Sequence, residues 1–319
     1  ATSQMALTLA RPEGSGSGGS GLAMFFLETR DAEGRLNGIR IERLKDKLGT
    51  RKVPTAELTL DGTRAEPVAG LAHGTRAIEP MLRITRAWNS VCAASFMRHG
   101  FLLARDYAAR RRAFGARLAE LPLHAELLAD LDAASAGATL LTFELLELLG
   151  RQEGREIDDA GAALLRLLTP ITKAVTGKQA VAAASETLEA FGGAGYLEDT
   201  MLPVLLRDAQ VLPIWEGTTN VLSLDALLRA DFTAGAAALR ARVAAAQART
   251  SDPALRAAID PAARAIERGI AWHATIAGDE RALQTGARRL VLSLGHAFEI
   301  ALLAELADAA DNAAEDRGA

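Results

Sequence analysis

From about Thr75 to its end the chain carries helical periodicity and little else, and this limits the fold more than any other feature. Met81, Ile84, Trp88 and Val91 stand at helical spacing and open a long apolar-striped segment toward Arg112. Residues 118–149 form a second segment, about 160–191 a third, and 201–230 a fourth that breaks near Gly217. Long segments with short connections predict an antiparallel bundle. Pro170 lies inside the third segment and predicts a kink or a break there. Beyond Ala230 come further Ala- and Arg-rich helices, divided near Ser251-Asp252-Pro253 and Gly278-Asp279. Leu290, Leu294, Phe298 and Leu302 make one apolar stripe, so this extension packs on something.

The first 65 or so residues read differently. Residues 6–10, 22–28, 39–44 and 56–60 are short apolar or alternating runs separated by turn-rich stretches, which predicts four strands in one β piece. Residues 14–21, GSGSGGSG, formally contain GxGxxG. A dinucleotide fingerprint needs a helix after the glycines so that phosphate meets its N-terminus. A strand follows here, so the stretch reads as a flexible hairpin loop. The expected division is a partial β domain over 1–70, a helical bundle over 71–230 and a helical extension over 231–319. The fold class is mainly α with a β part.

Composition removes several functions. Apolar residues make up 49% and charged residues 24%, which excludes a disordered chain. The net charge of −4 provides no field to gather nucleic acid or an anionic membrane. No continuous apolar run of about 18 residues predicts a membrane span. The single cysteine, Cys92, excludes an intramolecular disulfide and a thiolate cluster, and fits a reducing, cytoplasmic setting. The five histidines show no close metal-ligand spacing, so no metal site is expected. The chain opens Ala1-Thr2-Ser3-Gln4 and runs at once into a strand, which reads as a piece of a longer protein.

Three stretches could carry chemistry. In DYAARRRAFG, residues 106–115, Arg110, Arg111 and Arg112 point about 100° apart on a helix. One could meet an anion through the planar guanidinium fork, or all three could be a solvated C-terminal turn that suits the helix dipole. In EAFGGAGYLE, residues 189–198, the glycines either permit close backbone approach or simply end a helix. In LPIWEGTTN, residues 212–220, Glu216 sits in an apolar run before Gly217 and Thr218. It reads as a general base beside amides able to hold an oxyanion, or as a helix-capping carboxylate.

The three stretches, in this order and spacing, resemble the flavin-dependent acyl-CoA dehydrogenase family from Ala6 to about Ala230. Residues 107–115 are similar to its Y-x-x-x-R-x-x-F-G stretch, residues 192–196 to its G-G-x-G-[YF] turn, Arg207-Asp208-Ala209 to its R-D-A, and residues 215–218 to its [YW]-E-G-T. The resemblance implies part of a middle β domain followed by a four-helix bundle. It implies FAD as cofactor, with Arg111, Phe114, Glu189, Gly192, Gly193, Thr218 and Asn220 contacting it, partly across a subunit boundary. Glu189 stands where many members carry glutamine, and a carboxylate beside a pyrophosphate is repelled unless a cation compensates.

The resemblance further implies an acyl-CoA substrate lying against Gly217, with Glu216 taking the α-proton and flavin N5 the β-hydride. A homo-oligomer, such as a dimer of dimers, and an electron-transfer flavoprotein as acceptor are expected with it. Residues 45–54, KDKLGTRKVP, with Trp215 and the helical tail, resemble the AidB-type alkylation-response branch, whose tail is associated with DNA. Against DNA binding here, residues 231–319 carry ten arginines and twelve acids. Arg240, Arg242 and Arg249 could form a local basic stripe within it.

Overall fold

The computed structural model describes residues 3–318, with side chains through 312. Two compact units are present, Ala1–Thr85 and Arg86–Ala319. In the first, β1 (Met5–Ala10) pairs antiparallel with β2 (Ala23–Glu28), Met5 opposite Glu28 and Ala10 opposite Ala23. The loop between them is not free. The Arg11 guanidinium donates to the carbonyls of Gly16 and Gly18, which closes the glycine-rich stretch on itself. β3 (Ile39–Leu44) and β4 (Ala56–Leu60) fall on the expected residues but form a separate two-stranded ribbon. The expectation of one four-stranded piece fails because the free edge of β2 is already taken. Asn37 Nδ2 donates to Glu28 O at 2.8 Å and Arg64 O at 3.0 Å, and β5 (Glu66–Pro67) pairs with Phe25 and Phe26. The turn 45–54 is gathered by Lys47, whose Nζ donates to Thr50 O at 2.6 Å and Val53 O at 2.8 Å.

Helices dominate the rest of the chain. After α1 (Gly74–Ala77) comes α2 (Glu79–Arg110), then α3 (Pro122–Glu153) and α4 (Asp159–Ala190). Pro122 occupies the first turn of α3, where its missing amide costs nothing. The Asp158 carboxylate accepts from Gly161 N at 2.8 Å and starts α4. Pro170 does not end α4, which runs unbroken past it. Almost every residue from Leu164 to Gly177 is buried, because α3, α5, α6, α7 and α9 surround that helix. Tertiary packing there outweighs the loss of one helical hydrogen bond.

The fourth expected segment is not one helix. It consists of α5 (Leu202–Ala209), a turn, α6 (Thr219–Leu224) and a π-helical turn over Asp225–Arg229. The apolar stripe proposed for the start of α2 is also on the wrong face. Trp88 is 66% exposed, and Met81 and Ile84 are exposed too. What α2 buries is Ala87, Ala94, Met97, Phe101, Ala104 and Ala108.

The extension comprises α7 (Phe232–Arg249), α8 (Pro253–Thr275) and α9 (Glu280–Gly318). Asp231 caps α7 through Ala234 N, and Asp252 caps α8 through Ala254 N and Leu255 N. Asp308 of α9 accepts from Asp252 N, Ser251 N and Ser251 Oγ, and these donors hold its carboxyl below the usual range. The stripe Leu290, Leu294, Phe298 and Leu302 is buried in the main core with Leu141, Leu145, Ile171 and Val175. On length and composition α3 and residues 280–312 could each cross a membrane, a property the run-length criterion misses. Here their apolar sides pack into the bundle. Phe298 is fully buried, with the Arg242 guanidinium 5.9 Å from its ring centroid. Phe298→Ala is therefore expected to cost about 3–5 kcal/mol. Urea denaturation should show this as a lower midpoint with unchanged slope, and a loss below about 1 kcal/mol would mean that the extension folds apart from the bundle.

Candidate active site

The chain leaves α5 through tight turns and enters α6 by way of two left-handed residues, Glu216 at φ 59° and Gly217 at φ 107°. Glycine adopts this conformation freely, but for glutamate it costs about 1–2 kcal/mol and must be held. Two cations hold it, one buried and one largely so. Arg86 of α2 donates from Nε to Glu216 O at 3.1 Å, and Lys173 of α4 donates from Nζ to Gly217 O at 2.6 Å. Gly177, one turn further along α4, lets the turn sit close, since a Cβ there would lie 3.2 Å from Leu212 O and Pro213 N.

Arg86 and Lys173 need a countercharge. Asp225, only 5% exposed, accepts from Arg86 Nη1 at 2.6 Å and from Arg166 Nη2 at 3.3 Å. The π-helical turn begins at this residue. Lys173 has no carboxylate in hydrogen-bond contact and is fully buried. Burial, reinforced by the nearby Arg86 charge and opposed by Glu216, pulls its ammonium down to about 8. Thr218 caps α6 by accepting from Val221 N, and Asn220 is exposed on the first turn. The amides of Gly217 and Thr218 donate to no acceptor among the described residues. A half-buried carboxylate on a clamped turn beside two free amides can remove a proton from carbon while an adjacent carbonyl oxygen is held.

The other predicted residues gather elsewhere. The chain past Arg111 does not end as a plain helix turn. β6 (Arg112–Ala113) and β7 (Ala116–Arg117) form a two-residue hairpin whose loop, Phe114 and Gly115, has positive φ at both positions, the type I′ pattern. Phe114 is 94% exposed at its tip. The structure separates the three arginines. Arg110 pairs with Asp106, Arg112 donates to Gly115 O at 3.1 Å, and the Arg111 guanidinium is the one without a partner among the described residues. Tyr107 stacks on Phe191 with ring centroids 4.4 Å apart, which sets this hairpin beside the end of α4. There Glu189 is exposed, Gly192 has φ 59°, and a Cβ on Gly192 or Gly193 would meet nothing within 4 Å. Arg207 of the R-D-A stretch binds Glu198 through both guanidinium nitrogens at 2.7 and 2.8 Å.

Within one chain, therefore, Glu216, Gly217, Thr218 and Asn220 form one group, and Arg111, Phe114, Glu189, Gly192 and Gly193 another. Lys173 and Glu189 mark the two groups on α4. They are sixteen residues apart, about 24 Å at 1.5 Å per residue. Arg86, Arg166, Lys173 and Asp225 were not anticipated. Lys173 could have been, because a lysine set among Leu167, Leu168, Ile171, Ala174 and Val175 must serve a buried acceptor.

Residues 72–230 match the family model described as acyl-CoA dehydrogenase, C-terminal domain. The chain belongs to the acyl-CoA dehydrogenase family. It is 52% identical over 227 residues to acyl-CoA dehydrogenase family member 11 of Caenorhabditis elegans, covering 70% of this chain and 37% of that protein. It is 35% identical over 207 residues to AidB of Escherichia coli, an acyl-CoA dehydrogenase by name, covering 65% and 38%. The crystal structure of C. elegans ACDH-11 in complex with C11-CoA is similar to it with a TM-score of 0.90 at 40% identity, over 96% of this chain and 53% of that one. The chain thus spans 37–38% of the length of these two curated relatives.

The lowered Lys173 value has a measurable consequence. Unfolded lysine titrates near its ordinary value of 10.5, so between about 8 and that value the unfolded state binds more protons and stability rises with pH. This contribution is complete above 10.5 and is lost as pH falls through about 8. Compared with Lys173→Met, the wild type should gain up to about 3 kcal/mol across that window in urea denaturation. Parallel pH profiles for the two proteins would refute the buried cation.

Proposed function

We propose that the protein containing this chain dehydrogenates an acyl-CoA thioester at its α and β carbons, with FAD as cofactor and Glu216 as the base. The observation that carries the reading is the left-handed Glu216-Gly217 turn clamped by Arg86 and Lys173. A strained glutamate held by two cations is a costly device, and strain of this kind is kept where position matters for chemistry.

The residues present fit the cofactor. Bare backbone at Gly192 and Gly193 leaves room for a diphosphate, the unpartnered Arg111 fork suits phosphate oxygens, and the exposed Phe114 ring suits a planar ring system. Glu189 counts against a phosphate in that group, and Arg111 is the cation available to offset it. Bound there, FAD supplies the hydride acceptor. The chain's own residues do the remainder. Glu216 takes the α-proton onto its carboxylate, the amides of Gly217 and Thr218 hold the thioester oxygen as charge develops on it, and the clamp keeps base and amides in one geometry. The two residue groups stand about 24 Å apart along α4, so we place a second copy of the chain at the cofactor, one copy contributing Glu216 and the other Arg111.

The alternative, a DNA-associated role of the AidB type, gains no support from the tail. Arg242 is bound by Glu144 at 2.7 Å and by Glu305 at 2.9 Å, Arg249 by Glu305, and Arg240 faces Glu267 at 3.8 Å. Each arginine of the stripe proposed from sequence faces a carboxylate, which offsets the positive charge it could offer to a phosphate backbone.

In the full-length protein, Glu216→Gln should retain FAD yet lower the rate of anaerobic flavin bleaching by acyl-CoA by about 10²–10⁴-fold. Bleaching at the wild-type rate would place the base elsewhere. Arg111→Ala should weaken FAD binding by about 10–100-fold, whereas Arg110→Ala and Arg112→Ala, whose side chains are spent within the chain, should change it little. Equal losses from all three, read by cofactor dialysis, would show a diffuse patch instead.

A further inference from the structure

The proposed reaction makes no use of a cavity of about 660 Å³ between α8 and α9, a size in the range of small-molecule sites. Arg281, Thr285, Arg289 and Ser293 recur every fourth residue along α9 and line one wall. Arg268 and Trp272 of α8 line the other. Gly286 seats the indole. A Cβ on it would fall 2.2 Å from Trp272 Cζ2, so only glycine lets the ring lie against the α9 backbone.

The charges are the unusual part. Elsewhere in the extension Arg240, Arg242 and Arg249 face carboxylates, and Arg256 donates to the Thr250 and Ser251 carbonyls. Arg264, Arg268, Arg281, Arg288 and Arg289 bind no acid among the described residues, and three of them, Arg268, Arg281 and Arg289, border the same space. The one carboxylate in the lining, Asp279, is spent on capping α9 through Ala282 N at 2.9 Å. Arg281 and Arg289 lie eight residues apart, about 12 Å along the helix, with the Thr285 hydroxyl between them. A fatty-acid carboxylate would answer one guanidinium and leave two unmatched. A ligand with two or more phosphates answers all three, and a planar base suits the indole.

We infer that this pocket binds a nucleotide carrying two or more phosphates, its phosphates on Arg268, Arg281 and Arg289 and its base at Trp272. A free nucleoside diphosphate and the adenosine phosphate end of a coenzyme A share that chemistry. The site is separate from the one that holds Glu216 and does not depend on the dehydrogenase reading.

This chain has three tryptophans, so a Trp88→Phe, Trp215→Phe double variant leaves Trp272 as its reporter, and adding Trp272→Phe shows which part of an emission change belongs to that indole. ADP titrated into that protein, saturated with FAD and in about 0.15 M salt, should change the Trp272 emission and saturate. Arg281→Ala and Arg289→Ala in the same background should each weaken the response at least about 10-fold, while Arg288→Ala, one residue outside the lining, should leave it unchanged. Circular dichroism melts show whether each variant is folded. Coenzyme A binding as ADP does assigns recognition to the shared nucleotide. Coenzyme A binding without ADP would overturn the proposal, because the affinity would then lie in the pantetheine arm. No response up to about 1 mM ADP, an equal loss from Arg288→Ala, or displacement of ADP by a lower concentration of short duplex DNA would overturn it too.

Discussion

Arg86, Arg166, Lys173 and Asp225 form an ionic cluster, buried at Lys173 and Asp225 and partly buried at the arginines, on which the candidate site rests. Arg86 and Arg166 share the buried Asp225 carboxylate, and the charge left over on Arg86 and Lys173 is answered by two backbone carbonyls, those of Glu216 and Gly217. Taking a cation out of water costs several kcal/mol, and removing one partner from such a set leaves the others uncompensated. The turn at Glu216 therefore cannot relax without exposing or stranding a charge. The left-handed glutamate follows from that arrangement, and so does the π-helical turn that begins at Asp225. An inserted residue in a helix commonly re-aims a side chain at a functional position. Here the turn starts at the carboxylate that anchors Arg86 and Arg166.

The same cluster explains why α4 is buried on every side. Lys173 must be kept from water if it is to hold a carbonyl rather than a solvent molecule, and that requires cover around the whole middle of α4. The antiparallel neighbour α3 supplies one side. The extension supplies another, with Leu290, Leu294 and Phe298 of α9 and Leu239 and Val243 of α7 in the same core as Leu168, Ile171 and Val175. The tail is thus part of the wall around the site. Three of its arginines, Arg240, Arg242 and Arg249, serve to hold this wall together. Arg242 ties α7 to α3 through Glu144 and to α9 through Glu305.

Much of this was legible from periodicity. The strands at 39–44 and 56–60 and the divisions of the tail near Pro253 and Gly278 fall where turn residues and apolar spacing put them. The failures share a cause. Size misled the reading of α2, where Trp88 and Ile84 outweighed a run of alanines, yet helices that pack closely bury small residues. Pro170 was read by local propensity, which packing overrides in a helix enclosed on all sides. The hairpin after Arg111 was hidden because Phe114 at positive φ is disfavoured, so no propensity rule proposes it. The ionic cluster was hidden because its members lie up to 139 residues apart, and only the fold brings them together.

Phe114 carries a cost of its own. A bulky residue in the left-handed region carries a conformational cost, and an aromatic ring at 94% exposure adds an unfavourable hydration term. Nothing among the described residues repays either. The neighbouring features point the same way. Gly193 has ordinary backbone angles and open space around it, so the fold of this chain does not demand glycine there, and Arg111 keeps its guanidinium free while both adjacent arginines are engaged. A bare backbone, an unspent cation and an exposed aromatic ring, set side by side by the Tyr107–Phe191 stack, form a surface whose energetic return lies outside the chain. On the proposed reading, a flat, diphosphate-bearing cofactor shared with a second copy would provide that return at all three residues together.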